Sequence, residues 1–202
     1  MDELHLAKMA QKGSLDAFNQ LVMIHQELAY NVAFRILSDP AAADDATQTA
    51  FISAYRHLDS YRGGSFKAWL MRIVTNACYD ELRRYKRRPQ VDLEPQSNES
   101  GEEIESPAWL ADDTLSIEAR VELSELEQAI QHCLDNLPDD FRVVAVMVDV
   151  EGLDYQTVSE AVGTPLGTIK SRLARARARM QQCLQHFQEL LPHQFRLESE
   201  KR

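Results

Sequence analysis

Cysteine is scarce in this chain: its 3 residues, Cys78, Cys133 and Cys183, are widely spaced and include no CxxC pair. An odd, scattered set argues against a disulfide framework and against a zinc knuckle. His132 adjoins Cys133, but adjacent residues on a helix point in different directions, so a buried or incidental thiol is expected there and no metal site. Glycine and proline number 7 each, which excludes collagen-like, glycine-rich and proline-rich chains. Long apolar runs are missing as well. No stretch comes near the roughly 18 uncharged apolar residues that a membrane-crossing helix needs. The start, Met1 to Lys8, is acidic and lacks the basic start and the apolar block of a signal peptide. These absences predict a cytoplasmic protein with no membrane insertion. Its 202 residues, 44% apolar and 27% charged, suffice for a buried core in one or two domains.

Positive charge is nearly absent from one stretch in particular. The net charge of −10 looks unfavourable for a nucleic-acid partner until it is divided along the chain. Residues 1–88 hold 12 Lys and Arg against 10 Asp and Glu, and residues 138–202 hold 9 of each. Residues 89–137 hold a single basic residue, Arg120, against 13 acids. The excess acidity lies wholly in the middle, and both flanks carry concentrated basic runs. From Pro89 to Thr114 the sequence is polar and aperiodic, and cannot bury enough apolar area to offset its ordering entropy. Residues 89–118 therefore read as a flexible acidic linker, with Trp109 as the large apolar residue near its end. It separates a domain over 1–88 from a second over 119–187, and a tail follows over 188–202.

Both flanks read as helices. Leu15, Phe18, Val22, His25, Ala29, Val32 and Ile36 recur at steps of three and four, which places His25 on a core-facing stripe. Ser38-Asp39-Pro40 restarts a helix that runs to Leu58, and Arg62-Gly63-Gly64-Ser65 breaks the chain. A third helix carries Phe66, Leu70, Ile73 and Ala77 on one face and Arg72, Asn76, Asp80, Arg83 and Arg87 on another. In the second domain Leu123, Leu126, Ile130 and Leu134 space one helix, and Leu137-Pro138-Asp139 opens the next. Val143 to Val150 has strand propensity but stands isolated among helices, so a buried helix is expected. Gly152-Leu153-Asp154 caps a short helix, and Val162-Gly163-Thr164-Pro165 turns into a long one ending near Phe187. Two helices joined by a glycine turn, the second heavily basic, form a helix-turn-helix signature.

Basic residues in these positions suit nucleic acid. On the final helix Leu166, Ile169, Leu173, Ala176 and Met180 form the inward stripe. Thr168, Arg172, Arg175 and Arg179 fall opposite, flanked by Lys170, Ser171 and Arg177. Guanidinium forks spaced along two turns read guanine edges or clamp phosphates in a major groove. The helix from Phe66 interleaves Tyr61, Phe66, Trp69, Tyr79 and Tyr85 with Arg72, Arg83, Arg84 and Arg87. A basic track with stacking rings and a Gly-Gly loop supplies what single-stranded DNA and an everted base require.

These two segments carry a family resemblance. Tyr61-Arg62-Gly63-Gly64-Ser65-Phe66-Lys67-Ala68-Trp69-Leu70-Met71-Arg72-Ile73-Val74-Thr75-Asn76 resembles the promoter-melting segment of extracytoplasmic-function (ECF) sigma factors, alternative sigma subunits of bacterial RNA polymerase. Gly163 to Arg177 resembles the family's −35 recognition helix. The resemblance implies that Gly63, Gly64, Ser65 and Phe66 capture an unstacked −10 base with help from Asn76. It implies that Arg72, Asp80, Arg83 and Arg84, with Arg62 and Trp69 beside them, line the −10 strand. Lys170, Ser171, Arg172 and Arg175, with Thr168 and Arg179, would meet the −35 duplex. Asp44, Asp45, Gln48, Phe51 and Tyr55 lie where the family contacts the polymerase clamp helices. An acid usually follows that glutamine, and here it is Thr49, which bears on the charge pattern of the contact. The implied partners are core RNA polymerase, promoter DNA as −35 duplex and −10 single strand, and an anti-sigma factor.

The sequence thus predicts an all-α, two-domain transcription initiation factor with no cofactor and no catalytic group. A stand-alone helix-turn-helix regulator would explain 138–184 but leave the Trp-Arg-Asn helix idle. A sigma-mimicking protein that sequesters a regulator would have no need of the arginines at 172–179.

Overall fold

The computed structural model describes residues 3–87 and 117–191, apart from the side chains of 117–122. Eight α-helices follow in order among these: α1 (Glu3–Gln11), α2 (Leu15–Leu37), α3 (Pro40–Arg56), α4 (Phe66–Arg87), α5 (Ile117–Asp135), α6 (Asp139–Ala145), α7 (Tyr155–Val162) and α8 (Leu166–Leu184). Short 3-10 turns at Leu58–Ser60 and Gln185–Leu190 follow α3 and α8, and a π-turn at Val146–Val150 extends α6. No strand occurs among the described residues, so the β-branched run 143–150 is helical, as expected. No helix among them is long and apolar enough to cross a membrane. The acidic stretch 88–116 with Trp109, and the tail after Leu191, lie outside the described residues.

Local chemistry sets the helix ends. Ser14 accepts a hydrogen bond from the Ala17 N–H at the start of α2, Asp39 from Ala42 at α3, and Asp154 from Thr157 at α7. Each satisfies an orphan donor of the first turn. Gly163 closes α7 with φ 65°, a left-handed conformation that glycine adopts without steric cost.

The first domain packs α2 against α1, α3 and α4, with Leu21, Ile36, Leu70 and Met71 fully buried. Each such side chain contributes about 1.5–3 kcal/mol over leaving it in water. Leu15 departs from the expected stripe: it is 57% exposed, and the buried line runs instead through Ala17, Phe18, Leu21 and His25. The second domain packs α6 on α8 around Val143, Met147, Ile169 and Leu173, with α5 laid across α8.

The cysteine expectation is overturned. Cys133 on α5 and Cys183 on α8 form a disulfide, with Cα atoms 5.7 Å apart. Their 50-residue separation along the chain carried no information about their separation in space, because α5 folds back onto the C-terminal half of α8. Cys78 stays free and buried.

The domains pack on one another: α7 lies along α4, and the end of α2 meets α5 and α6. The latter contact has a clear electrostatic origin. The last carbonyls of a helix lack intrahelical partners and carry the negative end of its dipole. At α2 that end is met by Arg142, whose guanidinium donates to the Ile36 carbonyl at 2.8 Å, and by Gln131, which donates to the Arg35 carbonyl at 3.2 Å. Arg142 also donates to the Asp135 carbonyl at 2.6 Å, so a nearly buried cation ties both domains together.

Candidate nucleic-acid interface

The loop before α4 is built on an aromatic platform. Tyr61, Phe66 and Trp69 pack with ring centroids 5.4–5.6 Å apart, and His25 joins Phe66 at 5.6 Å. The Tyr61 hydroxyl donates to the Gly64 carbonyl at 2.7 Å, and Gln11 holds the Tyr61 carbonyl at 2.7 Å. Ser65 caps α4 by accepting from the Ala68 N–H at 3.1 Å. Gly63 and Gly64 take φ of 94° and 88°, with no heavy atom within 4 Å of where a Cβ would stand. Arg62, Gly63, Gly64 and Ser65 are therefore an exposed, open loop on a rigid base. Phe66 is part of that base, at 2% exposure, and Trp69 is half-buried.

Along α4 the outward face carries Arg72, Asn76, Asp80, Arg83 and Arg84, all exposed. Arg83 pairs with Asp80 at 2.6 Å and Arg84 with Glu81 at 3.0 Å, both at i,i+3 spacing. In solvent such pairs contribute little, about 0.2–1 kcal/mol, so they orient the guanidiniums without locking them. The face is a basic track beside a glycine loop.

The second basic surface is α8. Ile169, Leu173 and Ala176 are buried inward, and Lys170, Ser171, Arg175 and Arg179 are exposed, with Thr168 half-buried. The arginines are not equivalent, although periodicity alone set them on a shared outward face. Arg175 is free to approach a groove. Arg172 is turned toward α6, where it pairs with Asp140 at 2.6 Å and keeps only 23% of its side chain exposed. Arg179 lies over the Phe141 ring at 5.7 Å, and Arg177 is held bidentate by Asp149 at 2.6 and 3.0 Å, which raises its pKa further.

Asp140 and its neighbour Asp139 also face α4. Tyr79 donates its hydroxyl to Asp140 at 3.3 Å, and Lys86 pairs with Asp139 at 2.6 Å. Burial, and then the Asp140 carboxylate, push the Tyr79 pKa up. Two adjacent acids at the start of α6 thus touch basic or polar groups of both basic helices.

The third set of candidate residues lies apart, on α3. Asp44, Asp45, Gln48 and Tyr55 are exposed and Phe51 is half-buried, with the exposed Ile52 next to it in sequence. Tyr55 rests its ring on Phe18 at 5.0 Å. Sequence reasoning missed a fourth feature, an apolar cleft of about 730 Å³ between α5 and α8. Leu126, Ile130, Met180 and Leu184 line it, with Arg35 and Arg177 at its edge. The half-exposed leucines of α5 were its signal: an apolar stripe that its own domain does not fully cover.

Family comparisons agree with this geometry. Residues 21–88 match the family model Sigma-70 region 2, and residues 127–180 match Sigma-70, region 4. The chain is 36% identical over 180 residues to the ECF RNA polymerase sigma-E factor of Escherichia coli K12, covering 85% of this chain and 88% of that one. The chain belongs to the ECF RNA polymerase sigma factors.

It is also 31% identical over 173 residues to the ECF RNA polymerase sigma factor SigE of Mycolicibacterium smegmatis, covering 86% of this chain and 63% of that longer protein. Among solved structures it resembles the sigma factor RpoE of Bartonella quintana, solved in complex with the anti-sigma factor NepR. That match has TM-score 0.62 and 27% identity, covering 84% of this chain and 98% of the other. The region 2 match spans the glycine loop and α4, and the region 4 match spans α6, α7 and the basic part of α8. Membership in that family accords with the two candidate nucleic-acid faces on α4 and α8.

Proposed function

We propose that this ECF sigma factor divides promoter reading between its two basic helices. The loop Arg62–Ser65 and the α4 face of Arg72, Asn76, Asp80, Arg83 and Arg84 take the unstacked −10 strand. The α8 residues Thr168, Lys170, Ser171, Arg172, Arg175 and Arg179 take the −35 duplex. Phe66 and Trp69 act from beneath: their rings support the loop, and the exposed backbone of Gly63 and Gly64 lets a base approach closely. Asn76 offers both a donor and an acceptor to that base. Asp44, Asp45, Gln48, Phe51 and Tyr55 on α3 meet the polymerase clamp.

The observation that carries this division is the pairing of an open double-glycine loop on a rigid ring platform with a separate basic recognition helix. The domain bounds follow as 1–88, 89–118, 119–187 and a tail 188–202. The packed arrangement, with Asp140 on Arg172, is the arrangement from which DNA must release that arginine. The solved relative bound to an anti-sigma factor supports a protein partner of that kind for this chain. Transcription from a promoter library by core RNA polymerase, with and without the chain, tests the reading. The added chain should enrich one −35 and −10 combination, and an unenriched library would overturn it.

A further inference from the structure

We propose that Cys133 and Cys183 are a redox pair, closed by oxidation and opened by a protein dithiol of the thioredoxin class. Opening the pair loosens the domain that carries α8. Three observations combine. The two residues are joined although they come from different helices. Cys133 is 1% exposed while Cys183 is half-exposed, so one sulfur is sheltered and the other can be reached. The helices they join are not closely packed throughout, since the apolar cleft opens between them and Leu134 and Leu184, the next residues in sequence, line it. Packing along that line is therefore incomplete, and the covalent bond supplies what side-chain contact does not.

Chemistry and family make the pair informative. A sigma factor works alongside RNA polymerase, among thiols kept reduced, and disulfides there are commonly transient or redox-sensing. The exchange is balanced as follows. A thiolate of the dithiol attacks the Cys183 sulfur, forming a mixed disulfide and releasing Cys133 as thiolate, which takes up a proton. The second thiol of the reductant then attacks its own partner sulfur, releasing Cys183 as thiolate, which is protonated in turn. The chain gains two electrons and two protons, and the reductant leaves as its disulfide. A small disulfide runs the exchange backwards. The third cysteine stands aside: Cys78 is fully buried, and burial pushes its thiol pKa up to about 12, so it is a poor thiolate source.

The consequence lies in stability. Closing a loop of 50 residues removes substantial freedom from the unfolded chain. The oxidised domain should melt roughly 10 °C or more above the reduced one. The helix α5 also holds the end of α2 through Gln131, so loosening α5 weakens the contact between domains.

The test uses the full chain, treated with oxidised glutathione or with reduced thioredoxin. Alkylation in denaturant, read by mass spectrometry, should find one reactive thiol in the first sample and three in the second. Calorimetry should show the second domain melting lower after reduction, and Cys133→Ser with Cys183→Ser should melt at the reduced value in both samples. A −35 duplex titration between the two melting points should show binding by the oxidised chain only. This last arm rests on α8 reading the −35 duplex. If melting shifts and neither form binds, that reading fails and the redox pair stands. Three reactive thiols after oxidation, or equal melting of both forms, would overturn the redox pair itself.

Discussion

Arg172 on α8 pairs with Asp140 at the start of α6 at 2.6 Å, and the same carboxylate accepts from Tyr79 on α4 at 3.3 Å. One acid thus touches both basic helices, and in the proposed reading it competes with DNA for Arg172. Asp140→Asn should release Arg172 and raise −35 duplex affinity of the free chain about twofold to fivefold, the range of one partly exposed ion pair. Asp16→Asn, which removes one exposed acid from α2, controls for net charge. Fluorescence anisotropy at two salt concentrations checks this. An equal rise in both variants would leave the pair without effect.

Arg142 provides a stronger contact. It is nearly buried and donates to carbonyls of Ile36, Asp135 and Leu137. Arg142→Ala leaves those acceptors unpaired and should cost about 2–4 kcal/mol. Urea denaturation should show the loss. A cost within the range of surface substitutions, about 0.5 kcal/mol or less, would contradict the geometry.

The pH dependence of the first domain should trace to His25. It is 2% exposed, and burial lowers its pKa below the usual 6.5, with the Glu3 carboxylate at 3.4 Å opposing that shift. The unfolded chain then binds the proton more readily than the folded one. Stability is full above the unfolded pKa near 6.5 and falls as pH drops below it toward the folded pKa. Urea midpoints read by tryptophan fluorescence should fall as the pH is lowered through the unperturbed imidazole value of about 6.5. In His25→Leu the slope should flatten. An unchanged slope would place the titration elsewhere.

The loop offers a conformational test. Gly63 holds φ 94° with open space around it, so an alanine meets no atom and only the backbone objects. Gly63→Ala should cost about 1 kcal/mol or more and weaken −10 single-strand binding, while −35 binding stays unchanged. Denaturation and the two DNA titrations separate these effects.

Much of this architecture was legible in the sequence, for physical reasons that also mark the limit. Caps at Asp39 and Asp154, the 3.6-residue stripes and the Gly163 turn are local, and local rules placed them. The basic runs on α4 and α8 were visible because charge needs no partner to be counted. Contacts between distant elements were not visible. Nothing in periodicity brings Cys133 to Cys183, Asp140 to Arg172, or Arg142 to the end of α2. Phe66 stood both on the core-facing stripe with Leu70 and in the base-capturing loop, and its ring lies among Tyr61, Trp69 and His25.

The central claim, that two helices of one chain read two separate forms of DNA, is tested most directly by a crossed pair of variants. Arg175→Ala and Asn76→Ala are each titrated against a −35 duplex and a −10 single strand, using the full chain bound to core polymerase. Arg175→Ala should weaken the duplex about tenfold, the value of one bidentate contact of ~1–3 kcal/mol, and leave the single strand unaffected. Asn76→Ala should lose base preference on the single strand and leave the duplex unaffected. Both variants losing both substrates equally, or neither losing either, would contradict the division of labour between α4 and α8.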